Sequence, residues 1–483
     1  MAPDPSLLLR PATELAALVR AGDTTAVELT ALALERIDAL NPAVNAVVDS
    51  WADDALAAAA RIGPGDPRPF AGVPTAMKNN RAVAGRRLTH GAGFVDQVAP
   101  QDHAVTRRVR EAGFVLVGAT NLPELSITPV TRGRRFGAVR NPWDPGRSAG
   151  GSSGGAAAAV ASGMLPIAHG NDGGGSIRIP AAACGLVGLK PARGRVTLAP
   201  DLGWHLLVAD GMLTRTVGDA AAALDVLAGP ETGDLAPLPD PAEPFAAAAA
   251  RGARGDVRPL RIALTLDPAL GHEASPADAD AVRATGRRLE ALGHHVEEVA
   301  APWRTPGLFD LFTIAFGAGI GSGVRAAGRA RGRAIERHET ESLSWALYER
   351  GMALPAIDYL LADAEIQRVA RTVLRWADAY DALLTPTLAT APPPIDALDP
   401  DGPDPMQGFA DGAVFSPFAA ICNVTGQPAI TLPLGVRPQD DEAAGMPVGS
   451  HLVGRPGGEA QLLALAAQLE ADAGPAPVAP MAR

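Results

Sequence analysis

The sequence predicts an α/β protein built around a layered β-sheet. Short buried-strand patterns alternate with longer helical patterns along most of the chain. Hydrophobic residues make up 47% of the 483 residues and charged residues 20%, a balance typical of a globular protein with a large core. The same balance excludes a disordered chain.

The first fifty residues are predicted to be helical. Residues 14–20 form one short amphipathic segment. Thr24 and Thr25 can cap a second helix, which we expect to stop near Leu40 because Asn41 and Pro42 follow it.

Strands and helices alternate beyond this region. The predicted strands cover residues 114–117, 261–266, 295–299, 382–385 and 429–434, and the clearest helices cover 156–162, 279–292 and 460–471. Two segments are rich in proline and aspartate. Residues 230–259 are predicted to connect an N-terminal half to a C-terminal half, and residues 392–405 to form a long loop of the kind that often covers a site.

Charge and cysteine content restrict the partners and the compartment. The chain carries 42 basic and 53 acidic residues, a net charge of −11, which repels nucleic acids and anionic membranes, so we expect neither as a partner. Cys184 and Cys422 are too few for a disulfide framework and are predicted to be buried thiols. The N-terminus shows no secretory signal pattern and no unbroken apolar stretch predicts a membrane span, so the cytoplasm is the expected location.

Two glycine clusters carry the strongest chemical signal. Ser152 and Ser153 lie within Gly-Gly-Ser-Ser-Gly-Gly at 150–155, and Ser176 ends a run of three glycines at 173–175. Successive backbone N–H groups in such loops can hold negative charge. A serine beside them has the arrangement that acyl transfer needs, with a nucleophile and oxyanion donors around one carbon. On the glycines alone, two surface turns remain an alternative.

A serine nucleophile needs a base, and Lys78 is the candidate. It ends the mostly apolar stretch 70–77, where burial can bring a lysine pKa down towards neutrality. The alternative is a strand-end lysine that reaches solvent. The nearby His169 is predicted to be a structural, hydrogen-bonded residue.

Together these motifs and several others resemble the amidase signature family. The similarity covers nearly the whole chain and is strongest over residues 70–220. The matching segments are 72–78, 118–124, 140–143, 150–155, 172–181, 184–191, 214–219 and 453–456.

The resemblance implies a fold and a set of site residues. The fold is a mixed, twisted central sheet flanked by helices, in a single domain of residues 1–483 with a catalytic core at 70–220 and a C-terminal half, 260–475, that forms variable pocket walls. Ser176 is the implied nucleophile, Ser152 the proton relay after a cis peptide bond, and Lys78 the uncharged base. The implied oxyanion hole is formed by the N–H groups of Gly173, Gly174, Gly175 and Ser176, while Ser153 and Asp172 hold the loops.

The implied reaction is hydrolysis of amide-type C–N bonds through an acyl-enzyme. Within the family the chain resembles bacterial amidases of the 6-aminohexanoate cyclic-dimer hydrolase, aryl acylamidase and urethanase type, so linear amides, anilides and carbamates are the expected small-molecule substrates. No cofactor or metal is implied, and a homodimer stays open. Residues 311–316 lack the cysteine found in the cyclic-dimer enzyme, which argues against that substrate. Phe312, Phe316 and Ile127 are expected either to line an apolar pocket or to belong to the core.

One residue departs from the family pattern, and two alternative interpretations of the function remain. Asn79 replaces the aspartate that usually follows the base lysine, and we expect this to help keep Lys78 neutral. Gly150-x-Ser152-x-Gly154 also fits the nucleophile elbow of α/β-hydrolases, with His451 as base, although no strand precedes the serine. The other alternative is a partner-dependent subunit of the glutaminase type found in the same family.

Overall fold

The structure is a computed structural model that describes residues 4–201 and 207–482. The described strands form one eight-stranded mixed sheet, one three-stranded sheet and one two-stranded ribbon. The strands are β1 (Val47–Ser50), β2 (Pro74–Lys78), β3 (Arg87–Leu88), β4 (Gln97–Val98), β5 (Val115–Thr120), β6 (Ala168–Asp172), β7 (Val187–Lys190), β8 (Ala209–Thr214), β9 (Arg261–Leu264), β10 (His295–Glu298), β11 (Ala382–Pro386), β12 (Ala429–Val436) and β13 (Pro447–Gly454).

The large sheet has the order β10-β9-β11-β13-β12-β7-β8-β6. Strands β10, β9 and β11 are parallel, and every later pairing is antiparallel. The small sheet has the order β1-β5-β2, with β2 parallel to β5 and β1 antiparallel to it. The predicted α/β class with a mixed sheet is confirmed.

Helices flank both sheets. They are α1 (Ala12–Ala21), α2 (Ala26–Val44), α3 (Ala52–Ala59), α4 (Ala104–Glu111), α5 (Gly154–Ala161), α6 (Arg178–Cys184), α7 (Val217–Leu227), α8 (Phe245–Ala253), α9 (Pro276–Ala291), α10 (Leu308–Arg331), α11 (Ser342–Ala353), α12 (Ala356–Ala377), α13 (Pro405–Phe415), α14 (Ile421–Thr425) and α15 (Glu459–Ala473). Thr25 caps α2 in a capping box with Glu28, as expected for this sequence. The predicted end near Leu40 is wrong, because Pro42 is accommodated in the last turn and the helix continues to Val44, where it is capped by Asn45 in a left-handed conformation.

Helix α5 brings the two sheets together. All eight of its residues are buried, and seven of them are alanine or glycine around a single valine. Such an apolar helix belongs in the middle of a core. A Cβ on Gly155 would lie 2.4 Å from the backbone nitrogen of Asn121, so only glycine permits this close approach to the end of β5. Small side chains therefore let the loop that carries Ser152 lie against both sheets.

The helices after residue 300 form a second apolar cluster beside the large sheet. Among the described helices, α10 alone is long and apolar enough to span a membrane by length and composition, and half of that stretch is buried inside the protein. Its buried residues Phe312, Phe316 and Ile320 face a cavity rather than the exterior. Helix α10 is thus a wall of the candidate site.

The loop at residues 392–405, which was predicted to cover a site, lies away from the main cavity. Residues 392–404 pack against the basic segment 132–135, where Arg132 pairs with Asp399 and Arg134 with Asp401. No residue of this loop lines the main cavity among the described residues. Both cysteines are buried free thiols, as predicted.

Candidate active site

Lys78 is the last residue of β2 and is fully buried. Its Nζ lies 2.7 Å from Ser152 Oγ, 3.0 Å from Ser153 Oγ and 2.8 Å from Asn171 Oδ1. The apolar stretch before it therefore carries the amine into the interior, and the alternative of a solvent-directed lysine is wrong. The amine has three oxygen neighbours and no carboxylate among them.

Ser152 and Ser153 lie in the turn before α5. Both are fully buried, and the peptide bond between Gly151 and Ser152 is cis, as the resemblance implied. The Ser153 hydroxyl donates to the carbonyl oxygen of Asn171 at 3.2 Å. Its oxygen is then free to accept a hydrogen bond from Lys78 Nζ. Ser153 thus joins the serine loop, β6 and the lysine.

Ser176 lies in the loop between β6 and α6. It is half-buried and lines the same cavity as Ser152, and its hydroxyl makes no hydrogen bond to any described residue. The N–H groups of Gly173, Gly174 and Ser176 likewise have no partner in the part of the chain that the structure describes. A free hydroxyl therefore lies among three free amide donors.

Gly175 departs from the predicted oxyanion hole. Its N–H donates to Asp172 Oδ1 at 2.8 Å, and the residue does not line the cavity. Its φ of +128° turns the chain so that this amide points back into the loop, a conformation that favours glycine. The structure therefore assigns Gly175 to the loop's internal bonding and leaves the other three amides directed elsewhere.

Asp172 organises this loop from the end of β6. It is fully buried and forms a bidentate pair with Arg178, through Nε at 2.9 Å and Nη2 at 2.9 Å, and it also accepts from Asn423 Nδ2 at 2.9 Å. Burial opposes ionisation, but the Arg178 guanidinium and these hydrogen bonds hold the pKa of Asp172 well below its usual range. A buried ion pair thus anchors the loop that carries Ser176.

His451 supports that anchor rather than a serine. Its Nε2 lies 3.1 Å from Arg178 Nη1 and its Nδ1 lies 3.0 Å from Thr385 Oγ1. Burial and the Arg178 charge lower the pKa of His451 well below its ordinary value, so the ring is neutral. Because β5 ends at Thr120 and only a short 3-10 helix at Glu124–Ser126, turns and isolated bridges precede Ser152, the elbow alternative lacks both its strand and its histidine.

Several buried groups act on the charge of Lys78. Burial lowers the pKa of Lys78 well below its ordinary value, and the Arg81 guanidinium lowers it further, whereas Asp210 and Asp172 oppose the shift. His169 is fully buried and structural, as predicted, and burial lowers the pKa of its ring. The structure therefore favours an uncharged amine at Lys78.

The side chain of Asn79 is bonded to the turn that follows the lysine. Its Oδ1 accepts from the backbone N–H of Thr89 at 2.8 Å and from the Thr89 hydroxyl at 2.9 Å. It makes no hydrogen bond to Lys78 Nζ among the described residues. Its side chain fixes the turn after the lysine, and the larger effects on the lysine come from burial and Arg81.

A cavity of about 420 Å³ opens in front of the serines. Ile127, Phe312 and Phe316, which the sequence left as pocket or core, all line it. The floor contains Ser152, Ser176 and the free amides of Gly173 and Gly174. The apolar wall also includes Leu125, Pro129, Ile179, Val208, Leu270, Phe309, Ile320, Phe409, Ala413 and Ala420. This is the size and character of a site for a small, largely apolar molecule.

Sequence reasoning missed several polar residues of this cavity, among them Asn80, Arg81, His90 and Asn171. Asn171 bonds Lys78 Nζ and exchanges hydrogen bonds with Asn80, at 2.9 Å and 3.3 Å. His90 is half-buried with a φ of 51°, and its ring has no hydrogen bond to any described residue. Burial and the Arg81 charge lower the pKa of His90 to about 4. The polar run 79–81 directly after the lysine was the available signal for Asn80 and Arg81.

Comparisons with known proteins show what this chain is similar to. A sequence model of the amidase family matches residues 28–463. The chain is 36% identical over 480 residues to a 6-aminohexanoate-cyclic-dimer hydrolase of Paenarthrobacter ureafaciens, covering 96% of this chain and 94% of the relative.

Two solved structures are similar over almost their whole length. A 6-aminohexanoate cyclic dimer hydrolase complexed with substrate superposes with a TM-score of 0.89 at 32% identity, covering 99% of this chain and 100% of the other. A bacterial aryl acylamidase superposes with a TM-score of 0.85 at 28% identity, covering 97% and 96%.

Proposed function

This chain belongs to the amidase family, and from that premise we propose that it hydrolyses amide-type bonds through an acyl-enzyme on Ser176, with Ser152 as relay and Lys78 as base. As a member of the family it is a hydrolase that acts on carbon–nitrogen bonds of small molecules, and serine chemistry is general to the family. The observation that supports these roles is the hydrogen bonding of the buried Lys78 amine to Ser152.

The hydrogen bonds around Lys78 indicate where its lone pair lies. A neutral amine has two N–H donors and one acceptor position. Asn171 Oδ1 can only accept, and the Ser153 oxygen accepts because its own proton goes to the carbonyl of Asn171. Both N–H donors are therefore used, and the lone pair remains for the hydroxyl proton of Ser152, 2.7 Å away.

This arrangement supplies a route for the proton of Ser176. As Lys78 takes the Ser152 proton, the Ser152 oxygen takes the proton of Ser176, whose oxygen attacks the carbonyl carbon of the substrate. Catalytic hydrogen bonds often tighten only when substrate is bound, so the Ser152–Ser176 contact is expected to form in that complex. The same route returns the proton to the leaving nitrogen as the C–N bond breaks.

The free amides of Gly173, Gly174 and Ser176 suit the negative charge that develops on the carbonyl oxygen. Preorganised donors of this kind contribute about 3–4 kcal/mol each where single donors have been removed. Water then attacks the acyl carbon while Lys78 and Ser152 remove its proton, and that proton returns to the Ser176 oxygen as the bond between this oxygen and the acyl carbon breaks. Acid and base roles are thus filled by one amine.

The cavity wall favours substrates with an apolar group beside the scissile carbonyl. Phe309, Phe312, Phe316 and Phe409 surround the space in front of Ser176. Aryl and alkyl groups gain about 25 cal/mol for each Å² that such a wall removes from water. Anilides and aryl carbamates are therefore the proposed substrates, and the carbamates need no further residue because their carbonyl undergoes the same attack.

A substrate panel with purified chain alone tests this proposal. It contains anilides, primary amides, linear and cyclic aminohexanoate oligomers and aryl carbamates. We expect Ser176→Ala and Lys78→Ala to lose at least about 10³-fold in kcat/KM. Ser322→Ala is the matched control, because this serine lines the cavity but bonds the carbonyl of Gly319.

Mass spectrometry with a slow aryl carbamate identifies the nucleophile directly. We expect the acyl mass on the peptide that contains Ser176 and none in Ser176→Ala. Label on Ser152 in the active enzyme would contradict the proposed roles. Activity only after addition of a partner protein would favour the glutaminase-type alternative.

We also propose a cytoplasmic location. Cys184 and Cys422 are free and buried, which suits a reducing compartment. Fractionation of cells with an antibody against the native protein tests this, and recovery from a secreted or membrane fraction would contradict it.

A further inference from the structure

Three residues that the proposed mechanism does not use form a chain of contacts behind Lys78. Arg81 donates from Nε and Nη2 to the two carboxylate oxygens of Asp210, each at 2.9 Å. Asp210 Oδ1 lies 3.1 Å from His169 Nε2, and His169 Nδ1 accepts the backbone N–H of Lys78 at 3.4 Å. The chain thus begins at the cavity wall, which Arg81 lines, and ends at the backbone of the lysine.

Stability does not explain this arrangement. The side chains of Asp210 and His169 are fully buried, and that of Arg81 is 7% exposed. Removing two charges from water costs several kcal/mol for each ion, and well-packed apolar residues often replace a buried pair without loss. A pair retained at this cost beside a candidate base points to a role in the site.

The chain also connects the two sheets across which the site is built. Lys78 ends β2 of the small sheet, while His169 and Asp210 lie on β6 and β8, neighbours at the edge of the large sheet. Asp210 is the cross-strand partner of Asn171, which bonds Lys78 Nζ. Both the backbone and the amine of Lys78 are therefore held by the strand pair that leads to the Ser176 loop.

The charges in this chain act on Lys78 in opposite directions. The Arg81 cation disfavours a second positive charge nearby, and the Asp210 anion favours it. Asp172, the other charge that acts on the lysine, is paired with Arg178. Arg81 also lies 3.3 Å from the half-exposed Asp201.

The remaining titratable neighbours are neutral. Burial lowers the pKa of His169, and burial with the Arg81 charge lowers the pKa of His90 and His103 to about 4. Arg81 and Asp210 are therefore the two charged residues whose separate substitution should change the protonation of Lys78 in opposite directions.

We propose that Arg81, Asp210 and His169 form a charge-balanced positioning unit, which holds the backbone of Lys78 and sets the pH range in which this lysine acts as a base. The inference rests on the proposed role of Lys78. Arg81 and Asp210 act through the lysine and are positioning residues.

The test compares the acid limb of the kcat/KM–pH profile in single and double variants. Only neutral Lys78 is active, so activity rises as the pH passes through its pKa. Asp210→Asn removes the bidentate partner of Arg81 and leaves only the half-exposed Asp201 beside it, so the limb should move to lower pH by about one unit. Arg81→Met removes the guanidinium that pairs with Asp210 and should move the limb up by about one unit. Arg81→Met/Asp210→Asn should return it close to the wild-type position.

Controls separate this effect from general damage. Arg81→Lys keeps the charge and should restore most of the limb position. Arg283→Met and Glu298→Gln make the same changes of net charge in an exposed pair and should leave the limb unmoved. Limbs that coincide in all variants, or that move in the same direction in both single variants, would overturn the proposal.

Two further measurements keep the outcomes distinguishable. If a buried-charge variant gives little soluble protein, the pH dependence of Ser176 labelling by a fluorophosphonate replaces turnover and needs only traces of folded enzyme. If Lys78→Ala retains full activity, the proposed function fails. If Lys78→Ala is inactive and the limbs do not move, only the positioning unit fails.

Discussion

Replacing Asn171 with Asp places a carboxylate at the atom that now lies 2.8 Å from the Lys78 amine. The amide oxygen accepts from a neutral amine without favouring its protonation strongly. A carboxylate in the same place would pair with the ammonium form, and we expect it to trap the lysine in the protonated state. The substitution changes one atom of the side chain, so its steric effect is small.

The distance between Lys78 Nζ and Asn171 Oδ1 gives the size of the expected shift in the pKa of Lys78. Opposite charges 2.8 Å apart attract by about 6 kcal/mol at an effective dielectric of about 20. At about 1.4 kcal/mol for each pKa unit this is an upper value of about four units. Neighbouring charges shift pKa values by about 1–3 units in proteins, because the new carboxylate also loses its hydration. We therefore expect the acid limb to move up by about two units.

Steady-state hydrolysis of an anilide across the stable pH range measures the shift. At a pH below the wild-type limb, kcat/KM of Asn171→Asp should be about 100-fold below that of the wild type, and the difference should shrink as the pH rises through the new limb. Asn171→Ala removes the same hydrogen bonds without adding charge, and its loss should be independent of pH. Identical limbs in Asn171→Asp and the wild type would refute the reasoning that neutral Lys78 is the base.

Three further variants test other parts of the structure. Asn79→Asp adds a carboxylate next to Lys78 and should move the acid limb up by about one unit, a smaller shift because Thr89 already satisfies this side chain. An unmoved pH–rate profile would exclude an electrostatic role for position 79. Phe312→Ala should lower kcat/KM about tenfold for anilides with large acyl groups and little for acetanilide, because it removes part of the apolar wall. Equal losses on both substrates would contradict that role. Burial and the neighbouring Glu124 raise the pKa of Glu341 to about 8, so the folded state binds this proton more tightly than the unfolded chain and loses stability as the pH rises from about 4.5 towards 8. Glu341→Gln should therefore increase the free energy of unfolding by about 1–2 kcal/mol at pH 8.5 and leave it unchanged near pH 4.5, and urea unfolding at the two pH values measures this.

The residues that the sequence predicted at the site lie within short, chemically distinctive segments. Lys78 follows an apolar run, and Ser152 and Ser176 lie among glycines, so residue type and neighbours were sufficient to single them out. The role of Gly175 could not be predicted in this way. The direction of one amide depends on where the Asp172 carboxylate is held, and that position depends on Arg178 and on Asn423, which is 251 residues away in the chain.

The same limit applies to the elements. Strands and helices with a clear periodicity, among them β9 and α15, were predicted to within a few residues of their observed bounds. Helix α2 was predicted too short because a proline usually ends a helix, whereas here Pro42 lies in a last turn that Asn41 stabilises. The Asn41 side chain accepts from Ala46 and Val47 and donates to the carbonyl of Val47, so it fixes the exit of the chain. Such bonding depends on the path of the chain after the helix, which no local pattern describes.

The location of the base and the nucleophile on different sheets explains why their supporting residues are buried and polar. Apolar contacts between β2 and β6 would hold the sheets together but would tolerate small sliding, because dispersion is not directional. Hydrogen bonds from Asn171 to the amine and from His169 to the backbone of Lys78 depend on both distance and angle. Proton transfer between Lys78 and Ser152 requires placement to within about half an ångström. A polar connection of this kind therefore costs stability and supplies the geometric precision that the proposed reaction needs.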